Sequence, residues 1–416
     1  MVKLVLIQPR VGFQGASYWE PLGLGFIAAW VLKHVPDIKI EVFSQAFDSD
    51  EEIVGGCQDA DYVGFGCTTP QLKNGIDLSR RIKQLNQDAY TVFGGYHPSV
   101  APFDTKRSEY VDKVIVGEGE NGMLATLRGN KMDVYISEPI MDLDTIPFPD
   151  RELIKAERHV EIAQKETGER MTSVQGSRGC PFRCLPCSNF RVHGGTIRVR
   201  KPVKIIEEMK LIKDQLSLDF IKFCDATFNT SVGRVLDFCK EAKAQGLDVD
   251  WGCNIHPAIG TKEMFERMRE VRCREVWIGA ESGSPAILRE LRKGVTVERI
   301  EEVFKITKEA DLLRRAYFLI GSKSETMDDI KLTEQLAERI DADTYGFTVL
   351  CPFPGTDPYD DNVENYKNVD WSLADEYSNS FYRNVSFTNE QLKKIRQSLA
   401  DRFRDRLCWR LQKHEN

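Results

Sequence analysis

The chain has 416 residues, with 57 Lys and Arg against 64 Asp and Glu, a formal net charge of -7, and 41% hydrophobic residues. That length suits two or three domains, and the mildly acidic balance leaves no global basic excess to hold nucleic acid or an acidic membrane. The longest apolar run, residues 22–32, is too short for a bilayer and ends at Lys33, and the opening MVKLVLIQPR lacks the apolar length and cleavage site of a signal peptide. A cytoplasmic protein is expected. In a reducing compartment eleven thiols are not a disulfide framework, and three of them are bunched at Cys180, Cys184 and Cys187.

In chain order, short apolar runs that read as buried strands recur at residues 3–7, 39–43, 62–66, 90–93 and 113–116, with helical stretches at 23–33 and 75–85. This alternation predicts an α/β fold, a flavodoxin-like doubly wound parallel sheet over residues 1–138, whose ligand lies beyond the strand C-terminal ends. The segment 139–170, with Pro139, Pro147 and Pro149, reads as a linker. A second series follows over 171–356. Strands are expected at 172–175, 220–224, 250–254, 276–280, 316–321 and 346–350, and helices at 203–215, 235–245, 262–270, 297–310 and 328–340. Six strand–helix units predict a partial (βα)6 barrel with its chemistry at the strand C-terminal ends. The remaining segment, 357–416, carries Leu392, Ile395, Leu399, Phe403 and Leu407 at helical spacing behind a Thr388 and Gln391 capping box, and is expected to be helical.

The run Cys180-Pro-Phe-Arg-Cys184-Leu-Pro-Cys187 follows the first barrel strand, where such a barrel builds its active site. Three thiolates hold three irons of a four-iron cube and leave the fourth open to a ligand. The alternative is a zinc knuckle completed by His193. Together with Gln175 to Gly179, the Cys-x3-Cys-x2-Cys spacing resembles the radical S-adenosylmethionine (SAM) enzymes, although Pro186 stands where that family usually has an aromatic residue. The resemblance implies a 4Fe-4S cluster on Cys180, Cys184 and Cys187, with SAM chelated at the open iron. Later segments support it. Asp225 in Phe-Cys-Asp-Ala-Thr-Phe is expected near the SAM amino group, and Glu281 and Ser282 in Gly-Ala-Glu-Ser-Gly-Ser near its methionine or ribose end. Tyr317 and His256 are further cavity candidates, with Asp225, Glu281 and Tyr317 as the expected catalytic side chains. Among the other thiols, Cys67, Cys224, Cys253 and Cys351 lie near strand ends and would more often pack than react, while Cys57, Cys239, Cys273 and Cys408 read as structural. Residues 198–201, Arg-Val-Arg-Lys, read as a solvated rim.

Three N-terminal segments, Pro21-Leu22-Gly23, Gly94-Gly95-Tyr96-His97-Pro98-Ser99 and Gly117-Glu118-Gly119-Glu120, resemble the cobalamin-binding domain of the class B radical SAM methyltransferase branch. The corrin is then expected across the sheet edge, meeting polar groups such as Thr68, Thr69 and Gln71. The loop after the first strand, residues 8–14, lacks the Asp-x-His-x-x-Gly of domains that supply an axial imidazole, so cobalamin is expected base-off without a histidine below it. The resemblance implies C-methylation of an unactivated carbon by an oxygen-avoiding enzyme. Its substrate is a small molecule or a protein residue, such as the glutamine of methyl-coenzyme M reductase, and its electron donor a flavodoxin or ferredoxin. Nucleic acid and membrane are not expected partners. The rival readings are a cobalamin-binding radical SAM cyclase or rearranging enzyme without methyl transfer, and a non-catalytic cobalamin or iron-sulfur sensor.

Overall fold

A computed structural model describes residues 1–11, 19–366, 368–377 and 379–406. The N-terminal sheet is built from β1 (Val2–Gln8), β2 (Ile38–Ser44), β3 (Tyr62–Gly66), β4 (Tyr90–Gly94), β5 (Lys113–Val116) and β6 (Val134–Ile136). All pairs are parallel and the order is β2-β1-β3-β4-β5-β6, the doubly wound arrangement expected, extended by one strand. Leu4 to Ile7 in β1 are buried on both faces, as a parallel strand covered by helices on each side requires. The helix Leu22–His34 is apolar nearly all round for the same reason, being sandwiched between the sheet and the second half of the molecule.

The second sheet comprises β7 (Met171–Val174), β10 (Phe220–Phe223), β11 (Asp250–Ile255), β12 (Cys273–Glu281), β13 (Leu313–Ile320) and β14 (Thr344–Val349), paired in parallel in the order β14-β13-β12-β11-β10-β7. Between β7 and β10 a two-residue antiparallel ladder joins β8 (Ser177–Arg178) to β9 (Arg198–Val199). Helices connect the long strands, giving the expected six-unit open barrel. Its outer layer is fixed by an aromatic cluster of Phe223, Phe228, Phe238 and Trp251, all buried, with the Phe223 and Phe228 ring centroids 4.6 Å apart.

Two stretches depart from the expected pattern. Residues 139–170 hold a helix, Ala156–Thr167, which packs on β7. It starts from Lys155 in the left-handed region (φ 52°) with no side-chain cap, so nothing local announces it. The C-terminal segment crosses back to the first domain. Lys73 of the first domain pairs with Asp370 at 2.7 Å, Arg191 just after the cysteine loop pairs with Asp360 at 3.1 Å, and the capped helix Asn389–Arg402 then buries Leu392 and Leu399 beside β14. Leu407 and Cys408 lie outside the described residues. Among the described residues no helix is long and apolar enough to cross a membrane, and the described cysteines are free.

Candidate active site

The strand C-terminal ends of the two sheets face each other, and the cysteine loop lies between them. The β8–β9 ladder pairs Ser177 with Val199 and Arg178 with Arg198, closing the base of the loop that carries Cys180, Cys184 and Cys187. Leu185 N–H donates to Leu291 O at 2.9 Å, and Phe182 lies flat on His256 with centroids 3.6 Å apart, so the loop is held from two sides of the barrel. Burial pushes all three thiols up, and the Lys293 ammonium acts in the opposite sense on each. Lys293 is buried, with its Nζ 2.8 Å from Glu281 Oε1. Glu281 sits at a register shift between β12 and β13 with φ 61°, a backbone twist that turns its carboxylate across the barrel mouth. Gly279 leaves room for the pair, since a Cβ there would lie 2.4 Å from Glu281 Oε1 and 2.8 Å from Lys293 Nζ.

Asp225 and Ser282, expected near SAM, both have partners within the protein. Asp225 is buried, accepts from Gly176 N–H (2.7 Å) and Ser177 Oγ (2.5 Å), and pairs with Arg234 (2.7 Å). It thereby latches the start of the cysteine loop to the end of β10, and its Oδ1, with one donor, keeps an acceptor site open. Ser282 shares a 3.0 Å hydrogen bond with Thr333 and accepts from Ser284 N–H, which turns it into the packing of the helix Met327–Ile340. Tyr317 has its ring against Gly346, while Glu281 stands beside the Cys184 end of the cysteine loop and Asp225 holds its start. His256 is held neutral, its pKa pushed down to about 3 by burial and by Lys293, and its Nδ1 accepts from Ala258 N–H at 3.2 Å. It is a packing partner of Phe182.

Beyond the loop, the first sheet opens a cavity of about 400 Å³ that runs between the strand ends and the helices Leu22–His34 and Gly119–Leu127. Its inner end is apolar, formed by Leu6, Phe26, Val92, Ile115 and Met123, and its rim is polar. Of the expected cobalamin contacts, Pro21, Leu22, Gly23, Thr68, Gln71, Gly94, Gly95, Gly117, Glu118, Gly119 and Glu120 line it. Gly95 must be glycine here, because φ is +99° and a Cβ would lie 2.8 Å from Cys67 O. Thr69, His97, Pro98 and Ser99 do not line it. Ser99 instead bridges Gly95 O (2.6 Å) to Gly117 N–H (3.0 Å), which fixes the turn behind the rim. His97 is buried against Thr69 at 3.2 Å, with its pKa pushed down to about 4 by burial, so it supports the turn from inside. Residues 12–18, in the loop judged for an axial histidine, lie outside the described residues.

The second domain supplies the far wall through Gln175, Arg178, Val192, His193 and Cys224, of which only Cys224 is a cavity candidate by its strand-end position. Cys224 and Tyr96 are open to solvent-sized space yet enclosed by protein, and burial raises both groups to about 12. Of the thiols expected near strand ends, Cys253 and Cys351 are buried. Cys67 turns its sulfur toward Gly75. His193, weighed as a zinc donor, is drawn to Glu118 at 3.3 Å at the rim of the cavity. Glu118 also accepts from Arg178 at 3.0 Å and from Arg198, and Arg178 reaches Glu120 at 2.6 Å. Although burial alone would raise it, these partners hold Glu118 well below the usual carboxylate range. Arg198 and Arg200, expected on a solvated rim, are buried in ion pairs. Only Val199 and Lys201 of that run face outward.

Among the described residues no three His, Cys, Asp or Glu side chains are gathered tightly enough to hold a single metal ion. Cysteines that ligate a cube each meet a different iron and stand apart, so Cys180, Cys184 and Cys187 on one loop suit a cluster. The glycine-edged cavity with an apolar end and polar rim likewise suits a corrin and its nucleotide base. The B12 binding domain family matches residues 11–127, and the radical SAM superfamily matches residues 174–337. The chain thus carries a B12 binding domain followed by a radical SAM domain, the pairing found in cobalamin-dependent radical SAM methyltransferases. An uncharacterized methyltransferase of Pyrococcus horikoshii is 28% identical over 400 residues, covering 90% of this chain and 85% of its own. The anaerobic magnesium-protoporphyrin IX monomethyl ester cyclase of Rubrivivax gelatinosus is 24% identical over 388 residues, covering 86% and 69%. In fold, the chain superimposes on the radical SAM methyltransferase TsrM of Kitasatospora setae with cobalamin and a [4Fe-4S] cluster bound. That TM-score is 0.73 at 16% identity, over 95% of this chain and 82% of that one. A radical SAM domain implies a [4Fe-4S] cluster and SAM, and a B12 domain implies cobalamin.

Proposed function

We propose that this methyltransferase places a methyl group on an unactivated carbon. The observation that supports the reading is the cleft itself: the cavity of the B12 domain takes its far wall from Gln175, Arg178 and Cys224 of the radical SAM domain, and Tyr96 on its wall stands near Cys187 of the cysteine loop. When bound, the cluster and SAM supply a 5′-deoxyadenosyl radical that removes hydrogen, and cobalamin supplies the methyl group. The protein's part is to bind and orient. Cys180, Cys184 and Cys187 would hold the cluster, Glu281 and Lys293 would face the SAM end, and the glycine rim with Thr68 and Gln71 would seat the corrin. The substrate we favour is a protein residue, the glutamine of methyl-coenzyme M reductase, and the electron donor a flavodoxin or ferredoxin. Anaerobic turnover of reconstituted protein with methyl-deuterated SAM and a peptide carrying that glutamine tests this, with label in the peptide expected. A peptide changed without label would favour the second reading, ring closure, which the 24% identical cyclase of Rubrivivax gelatinosus supports.

A further inference from the structure

The turn that follows the diglycine of the B12 domain meets the residues just after the cysteine loop. Past Gly95, the short helix Tyr96–Val100 packs on the short helix Asn189–His193. At that contact the Tyr96 hydroxyl donates to Asn189 Oδ1 at 3.1 Å, and the His193 ring meets the Tyr96 ring edge-on with centroids 5.9 Å apart. His193 is itself drawn to Glu118, so Tyr96, on the cavity wall, is held from the side of the second domain. Asn189 is 8% exposed and gives its backbone N–H to Cys187 Sγ at 3.5 Å. Among the described residues its Nδ2 has no acceptor.

One residue thus brings two kinds of donor to a cysteine of the loop, a backbone N–H already on the sulfur and a side-chain amide not yet used. A buried amide N–H without an acceptor is costly, so the Nδ2 donors call for a bound group with lone pairs beside Cys187. The cluster that this loop suits presents sulfur there. We propose that Tyr96 is a positioning residue for the cluster: its hydroxyl fixes the Asn189 side chain, Asn189 donates to Cys187 Sγ and to sulfur of the bound cluster, and the reduction potential of the cluster is set in part from the B12 domain. A hydrogen bond to a ligating sulfur draws negative charge from it and favours the reduced cluster, which holds one electron more. The hydroxyl matters because it pins Oδ1 and with it the direction of both Nδ2 donors. Tyr96 touches no reacting atom in this role and acts through Asn189. The role depends on the cluster alone, and is the same whether the cleft methylates a carbon or closes a ring.

The experiment uses full-length protein reconstituted with iron and sulfide and loaded with hydroxocobalamin, as wild type, Tyr96→Phe, Asn189→Ala and the double variant. Titration with titanium(III) citrate, followed by low-temperature electron paramagnetic resonance of the reduced cluster, gives the potential of each. In Tyr96→Phe, which removes only the hydroxyl, iron content and melting temperature stay at the wild-type values. Its cluster is about tenfold harder to reduce, a shift of about 59 mV to lower potential for one electron. Asn189→Ala shifts the potential in the same direction by at least as much, and adding Tyr96→Phe to it shifts it no further, because the hydroxyl then has nothing to hold. A Tyr96→Phe potential equal to wild type, a shift to higher potential, or a double variant whose shift is the sum of the two singles overturns the inference. So does a Tyr96→Phe enzyme that loses turnover at an unchanged potential, since Tyr96 would then serve the cavity and not the cluster. Wild type that transfers no label counts instead against the methyl-transfer reading, and the comparison of potentials still decides Tyr96.

Discussion

Arg151 is the most consequential single side chain for holding the two halves together, and its replacement by Met has a calculable effect. It is buried between two acids, 2.7 Å from Glu20 of the first domain and 2.9 Å from Glu208 of the helix Pro202–Leu216, and it also donates to Ser173 O. Glu208 keeps Arg200 at 2.5 Å when Arg151 is lost, but Glu20 keeps only hydroxyl and amide donors from Thr172 and Ser173. Removing one partner of a buried pair costs about 3–5 kcal/mol, because the remaining charge is left uncompensated. Burial alone would raise the Glu20 pKa, yet Arg151 with Thr172 and Ser173 holds it below the ordinary value. A depressed carboxylate stabilises the fold above its unfolded pKa and loses that contribution as pH falls. In Arg151→Met the depression is removed, so the variant is worst off at pH 8 and recovers toward pH 5, where Glu20 takes up a proton. Each tenfold gain in the proton affinity of Glu20 on folding makes about 1.4 kcal/mol of the loss recoverable in this way. Urea unfolding at both pH values measures this. A loss under about 1 kcal/mol at pH 8, or one equal at both pH values, would refute the assignment of Arg151 as the compensating charge.

Three further outcomes follow from the site. Replacing Cys180, Cys184 or Cys187 by Ala abolishes retention of cluster iron, whereas Cys351→Ala, buried beside β14, leaves iron content and SAM binding unchanged; iron quantified after anaerobic reconstitution decides both. Gly279→Ala pushes only the flexible ends of Glu281 and Lys293, so melting temperature stays close to wild type while SAM affinity falls about tenfold, as calorimetric titration reads. Glu325 is buried, and burial raises it to about 8 against the two N–H donors of Gly321 and Ser322, so its contribution to stability is present below its unfolded pKa and lost as pH rises toward 8. Glu325→Gln therefore gains on wild type between pH 5 and pH 9 in thermal unfolding.

The sheets were legible because a parallel strand covered on both faces is apolar along its length, as β1 is, while the edge strand β2 shows the alternation of a half-covered one, with Ile38, Ile40 and Val42 buried. The strand β6 was not, since its three residues are half-exposed or exposed and carry no run. The cysteine loop was legible from spacing alone. Roles within it were less so, because a motif shows which side chains stay together and not which way each one faces. Asp225 and Ser282 sit in recognisable segments yet turn inward, one to Gly176 and Ser177, the other to Thr333. His97 and Ser99 support the turn whose glycines do the lining. Lys293 carries no local signal, because its significance lies in Glu281, which it meets directly.

The two domains meet through charges that the sequence scatters. Glu118 and Glu120 at the cavity rim hold Arg178 and Arg198, and those arginines face each other across the β8–β9 ladder that closes the cysteine loop. Apolar contact alone permits sliding, whereas a buried carboxylate flanked by two guanidinium groups loses several kcal/mol if either is displaced. The cavity rim and the base of the cysteine loop are thus tied to the same four side chains, so a hydrogen-bonded ion cluster holds the spacing between the cavity and the cysteine loop. An enzyme that must bring two large cofactors to one substrate carbon needs that spacing set before either arrives, and Glu118, Glu120, Arg178 and Arg198 set it from the protein side.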